Sequence, residues 1–233
     1  MSDGYVSVET LCLGSWYALE QCGRLLQSAA FVFDSGDCAT AVALAMFGRE
    51  ELGRSRMLRE LARRVAAGEQ IRADAVQAEC EDHVIKQRAA VLGITLISEP
   101  PSPINRLIRE MMMLTPGTEE YRRADDKLHE ALEAKRRRLP QDRHNMREAA
   151  LYVDLDDAGT HWLRPSMLDG AHCYEEICGA VNDYAGRYDR FENGDLERDF
   201  PEMAAARKGM HSKVALPVPR WPNPPANTPT PKE

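Results

Sequence analysis

The chain has 233 residues, a formal net charge of -7 and a sequence pI of about 5.5, which exclude a uniformly basic nucleic-acid-binding surface. Hydrophobic residues make up 43% and charged ones 29%, enough for a sizeable core in a globular chain rich in good helix formers. The six cysteines form no Cys-x-x-Cys pair, the N-terminus has no basic-then-apolar leader, and the longest apolar run, Cys38 to Gly48, is too short for a bilayer. The expectation is a cytoplasmic protein with reduced thiols, without zinc, cofactor or membrane partner.

The first helix is expected over about Thr10 to Phe33, where Trp16, Leu19, Cys22, Leu26, Ala29 and Phe33 recur at helical steps. Ser35-Gly36 breaks it, and Asp37 caps a second helix to about Glu69. The apolar first half of this helix, Ala39 to Phe47, calls for enclosure on all sides. Arg49, Glu50 and Glu51 follow directly. Neighbouring helical residues point about 100° apart, so either a buried carboxylate has a cationic partner, or the helix emerges at Arg49 and the glutamates form surface pairs with Arg49 or Arg54.

A third helix is expected from Ala73 to Leu92, with Val76, Cys80, Val84 and Val91 inward. It carries Glu81-Asp82-His83-Val84-Ile85-Lys86, in which His83 and Lys86 share a face, Glu79 precedes His83 by one turn, and Asp82 is spaced to pair with Lys86. Residues 94–97 read equally as strand or loop. Ser102-Pro103 opens a further helix that Thr115-Pro116-Gly117 ends. The next starts near Thr118, closes in Lys135-Arg136-Arg137-Arg138 and stops at Pro140.

Leu151-Tyr152-Val153-Asp154-Leu155 alternates like a strand, with Leu151 and Val153 facing the bundle. A turn at Asp156 to Gly159 and a return over Thr160 to Leu163 make a small hairpin. The last helix spans about Ser166 to Phe191, with Leu168, Ala171, Tyr174, Ile177, Val181, Tyr184 and Tyr188 inward. The fold expected is mainly α: an up-and-down helical bundle with a small β-hairpin before the last long helix. Residues 1–191 form the bundle domain and 192–233 an extended proline-rich tail, of which Pro217 onward packs little against the rest.

Glu50, Glu51, Asp82, His83 and His129 are metal-ligand types on three helices, but neither Glu-x-x-His nor His-Glu-x-x-His occurs, so no metal is expected. Glu50-Glu51-Leu52-Gly53-Arg54, then Asp82-His83-Val84-Ile85-Lys86, then Arg147 and Leu151-Tyr152-Val153-Asp154 resemble, in order, the motifs of the AbiV-type abortive infection family, over about Ser15 to Tyr188. Arg54 stands where that pattern has lysine, and Val84 replaces its first lysine after the histidine. The resemblance implies a phage-defence protein that arrests the infected cell, binding a phage or host protein and blocking a process such as translation, with a homodimer as a further expectation.

The resemblance extends to HEPN-type bundles, several of which are metal-independent ribonucleases using an Arg and a His four to six residues apart. Arg138 and His144 have this spacing, and so do Arg123 and His129. RNA is then the alternative partner, and a metal-dependent bundle enzyme a third class. The candidate catalytic residues are Glu50, Glu51, Arg54, His83, Lys86, Arg138 and His144. Gly53, Asp82, Arg147, Tyr152 and Asp154 are motif residues with binding or structural roles.

Overall fold

The computed structural model describes residues 4–90, 103–156, 158–192, 198, 200 and 215–225. The fold is a mainly α-helical bundle with a two-stranded antiparallel hairpin before its last long helix. In chain order come α1 (Val8–Asp34), α2 (Cys38–Ala66), α3 (Ala73–Glu81), α4 (His83–Ala90), α5 (Pro103–Met112) and α6 (Glu119–Leu151). Strands β1 (Asp154–Leu155) and β2 (Trp162–Leu163), a 3-10 turn (Pro165–Met167) and α7 (Gly170–Glu192) follow.

Local chemistry sets the boundaries. The Ser7, Asp37 and Thr118 side chains each accept a backbone N–H of the first turn of α1, α2 and α6. The α1–α2 turn passes through Gly36 at φ 93°, a left-handed conformation that glycine adopts without strain. The apolar stripe of α1 lies buried against the first half of α2, where Ala41, Val42, Ala45 and Met46 are wholly enclosed. Ile177, Val181 and Tyr184 of α7 complete this core. Helix α2 is the hub, packing against α1, α3, α4, α6 and α7.

Four expectations are corrected. The helix foreseen over Ala73 to Leu92 is two helices, because Asp82 takes extended backbone (φ -66°, ψ 120°) and its carboxylate accepts the Ile85 N–H as the cap of α4. Asp82 therefore does not pair along the surface with Lys86, and the α4 residues turned inward are Lys86, Gln87 and Ala90 rather than Val84. Val91, Leu92 and 94–97 lie outside the described residues. Pro140 does not stop α6: the helix runs through it to Leu151, forgoing one backbone hydrogen bond at a wholly buried proline.

The third correction is at the hairpin. Leu151 is still helical, Tyr152 is the helix cap, and pairing is confined to Asp154↔Leu163 and Leu155↔Trp162. Leu151 and Val153 do not face the bundle; both are exposed. In α7, Ala171 is likewise exposed. The fourth concerns the tail. The boundary expected after residue 191 adjoins residues outside the described ones, and 226–233 lie outside them too. The described segment, 215–225, has no helix or strand, yet it is fastened to the bundle. Pro217 O accepts the Tyr184 hydroxyl at 2.7 Å, Val218 O accepts Gln27 Nε2 at 3.1 Å, and Asp34 holds Arg220 at 2.7 Å and the Asn223 N–H at 2.8 Å.

The hairpin turn is organised by one side chain. Asp156 accepts the Thr160 N–H at 2.6 Å, the His161 N–H at 3.1 Å and the Thr160 hydroxyl at 2.9 Å. These donors, the His161 and Thr160 amides foremost, hold its carboxyl down at about 2. Because the folded value is depressed, the turn's stabilisation is present above the ordinary carboxylate range and is lost as pH falls through about 2. An NMR titration should therefore find the Asp156 carboxyl titrating near 2, with Thr160 and His161 amides losing exchange protection over the same range. An ordinary Asp titration near 4 would show the turn is not held this way.

Candidate functional site

Consecutive residues of α2 diverge, and Arg49 and Glu50 use that divergence to reach different helices. Both are buried, at 2% and 3% exposure, so the reading in which α2 emerges into water at Arg49 fails for this pair. Arg49 turns to α7, where Nη1 donates to Asp183 Oδ2 at 2.8 Å and Nη2 to Glu176 O at 3.0 Å. Arg143 of α6 approaches the same Asp183 oxygen at 3.6 Å. Burial pushes the Asp183 carboxyl up, against the pull of Arg49.

Glu50 turns to α4 and α6. His83 Nδ1 donates to its Oε2 at 2.6 Å, Lys86 Nζ lies 3.8 Å from the same oxygen, and Arg147 Nη1 donates to Oε1 at 3.0 Å. Lys86 is itself buried. Arg147 Nη2 also donates to Glu148 Oε1 at 2.6 Å and to His144 Nδ1 at 3.3 Å, while its guanidinium stands 5.8 Å from the Phe47 ring centroid. The result is a chain of contacts, His83–Glu50–Arg147–His144, with a buried middle and partly accessible ends.

Gly53 makes this reach feasible. A Cβ there would stand 1.9 Å from the Lys86 carbonyl oxygen, so only glycine lets the α4 backbone lie directly on α2, one turn from Glu50. The cap at Asp82 contributes as well. An extended residue advances the chain by about 3.3 Å against 1.5 Å in a helix, and α2 ends at Ala66, short of Glu69. Both place His83 farther along α2 than one uninterrupted helix would. Gln87 anchors α4 from the other side, donating to Met46 O at 3.0 Å.

The structure thus brings together Glu50, Gly53, His83, Lys86, Arg147 and His144. Glu51 and Arg54 form their own half-open pair at 3.1 Å; burial lifts the Glu51 carboxyl, and Arg54 pulls it back. Glu79 pairs with Arg64 rather than serving His83. Arg138 is exposed and six residues from His144 on one continuous helix, hence about 9 Å along its axis and about 120° around it. Arg123 and His129 stand in the same relation. His144 meets Arg147 instead. Tyr152 and Asp154 line a separate cleft of about 430 Å³ with Leu163, Arg164 and Met167. Arg49, Gln87, Arg143 and Asp183 were not foreseen as site residues. Among the described residues no group of three or more His, Cys, Asp or Glu side chains is gathered to hold a metal.

Two substitutions test the packing. Gly53→Ala should destabilise by about 3 kcal/mol, as overpacking against backbone does. Gly186→Ala, in α7 with nothing within 4 Å of its Cβ position, should stabilise by about 0.5–1 kcal/mol. Urea unfolding of both variants measures this, and equal effects would remove the close-approach argument. Glu50→Gln should cost about 3–5 kcal/mol by leaving Lys86 and Arg147 without their shared carboxylate. Adding Lys86→Met should give back part of that loss, with a coupling of about 1–3 kcal/mol; strictly additive losses would mean the two do not interact.

No curated protein and no solved structure matches the chain. A protein-family model, HEPN AbiV, described as AbiV, matches residues 14–185, a span that holds most of α1 to most of α7 and every residue of the cluster. The chain belongs to the AbiV family of abortive-infection proteins.

Proposed function

We propose that this chain arrests the infected cell by docking a phage or host protein through its hairpin, interrupting an essential process such as translation. The observation that carries the reading is the apolar surface there. Tyr152, Val153, Trp162, Leu163 and Met167 are each between 49% and 64% exposed, and Leu155 is directly opposite Trp162 across the ladder. Large apolar groups exposed on one small element, here Leu155 and Trp162 on one side of the ladder and Leu163 on the other, mark interaction sites, and tyrosine and tryptophan are typical anchors of such contacts. The rest of the motif supports a scaffold role: His83 is tied to Glu50, and Lys86 is buried. Among the described residues no helix is long and apolar enough to cross a membrane.

A ribonuclease is the second reading, favoured by one observation. Two partly accessible histidines, His83 and His144, flank the Arg147–Glu50 pair, an arrangement able to move protons and stabilise phosphorane charge. In this reading His144 works with Arg147, since Arg138 of the same chain points elsewhere.

One set of variants separates the readings. Tyr152→Asp and Trp162→Asp should abolish protection in a phage-plating assay while leaving the melting temperature within about 2 °C, as surface substitutions do. His144→Ala should leave protection intact. Purified protein incubated with total RNA and transfer RNA should cleave neither. Chelator-insensitive cleavage that disappears in His144→Ala, with protection lost alongside, would replace docking by nuclease chemistry.

A further inference from the structure

Residues 215–225 form a strap seated in a groove between α1 and α7. Its burial repeats every third residue: Leu216, Pro219 and Pro222 turn inward, while Val218, Trp221 and Pro224 stand exposed. Three residues per turn is the period of a polyproline II helix. The strap follows α1 in the chain direction, from Pro217 beside Gly23 to Arg220 and Asn223 beside Asp34. From 23 to 34 the helix advances about 16 Å, and from 217 to 223 a polyproline helix advances about 19 Å, so the two run in step.

Prolines donate no backbone hydrogen bond, and among the described residues no backbone–backbone hydrogen bond ties the strap to the bundle. Side chains of the groove hold it instead. The Tyr184 hydroxyl donates to Pro217 O, Gln27 Nε2 donates to Val218 O, and Asp34 accepts from Arg220 and from the Asn223 N–H. Gly23 makes the room: a Cβ there would stand 2.5 Å from the Tyr184 hydroxyl and 3.0 Å from Pro217 Cδ. Tyr188 stands beside Tyr184, their ring centroids 6.2 Å apart. An aromatic seat for proline, donors for successive carbonyls and a carboxylate for one arginine are what a groove needs to recognise a polyproline segment. The hold is also exchangeable. The Arg220–Asp34 pair is open to water, where such pairs are weak, and Val218 and Trp221 bury little of their apolar surface.

We propose that the α1–α7 groove is a recognition site for an extended proline-rich segment of another protein, of the pattern Pro-x-Pro-Arg, and that the strap occupies it in cis as a competing ligand. The chemistry of the incoming segment is that of Pro217-Val218-Pro219-Arg220, the segment already seated there. The tether keeps the strap at a high effective concentration, so a partner has to fit better than the strap or present several such segments. The groove shares no residue with the hairpin or with the Glu50 cluster.

The test uses the full chain and, as probe, a fluorescein-labelled peptide with the sequence of residues 215–225, followed by fluorescence anisotropy. With the wild-type strap in place the peptide should bind weakly. Arg220→Ala in the chain loosens the strap and leaves the groove intact, so the peptide should bind about tenfold more tightly. Adding Asp34→Asn removes the acceptor of the groove, and the affinity should fall back about tenfold. Both positions are exposed, and the melting temperature checks that the fold is kept. In the wild-type chain, excess unlabelled peptide should speed hydrogen exchange at the Asn223 amide, which the seated strap protects through Asp34. Equal affinity in the wild-type chain and Arg220→Ala, or an affinity indifferent to Asp34→Asn, would overturn the proposal. So would a dimer held by exchanged straps that excess peptide does not dissociate, since the groove would then take a second copy of this chain.

Discussion

A carboxylate buried at the centre of a helical bundle has to be neutralised, and Glu50 is where this fold meets that requirement. Its two oxygens take His83, Lys86 and Arg147 from two other helices. Their mutual attraction is strong because water is largely absent, and the cost of losing any one partner is high for the same reason. The geometry of α2, α4 and α6 is therefore not adjustable independently. Glycine at 53 permits the approach, Asp82 sets where α4 begins, and Arg147 determines how α6 lies across Phe47. The family motif reads as the parts list of one joint: a carboxylate, a contact-permitting glycine, a helix cap, and the cations that cap delivers.

One residue earlier, Arg49 makes a joint of opposite polarity, a buried cation meeting Asp183 of α7. Two adjacent side chains of α2 thus fasten it to three helices. Directional, charge-paired contacts specify orientation more sharply than apolar packing, which tolerates sliding.

How far the chain could be read beforehand depended on the range of the interactions involved. The helical stripes of α1 and α7 and the cap at Asp37 are local, and the sequence displays them directly. The burial of Glu50 was legible only as an anomaly, since two outcomes fitted the pattern and the decision rested with α4, more than thirty residues away. Asp82 looked like one acidic residue in a charged run; its capping role is the short-range signal that could have divided α3 from α4. The passage of α6 through Pro140 ran against local propensity, and packing decided it. Arg143 and Asp183 had no local signal, for a charged residue between apolar neighbours reads the same whether it meets solvent or a partner.

The strap formed by residues 215–225 has a consequence for how the chain is assembled. Its anchors on Asp34 and Gln27 join residues 186 to 191 positions apart, so the last-made part of the described chain closes onto the first-made helix. The entropic cost of such a closure grows only as the logarithm of loop length, so a handful of hydrogen bonds is enough once the bundle has brought both ends near. Before that they have little to hold them. Synthesis proceeds from the N-terminus, and the helices can pair while the strap is still being made. The contacts that seal α1 to the strap are thus among the longest-range in the described chain, and they gain strength only where the bundle has already brought Asp34 and Gln27 beside it.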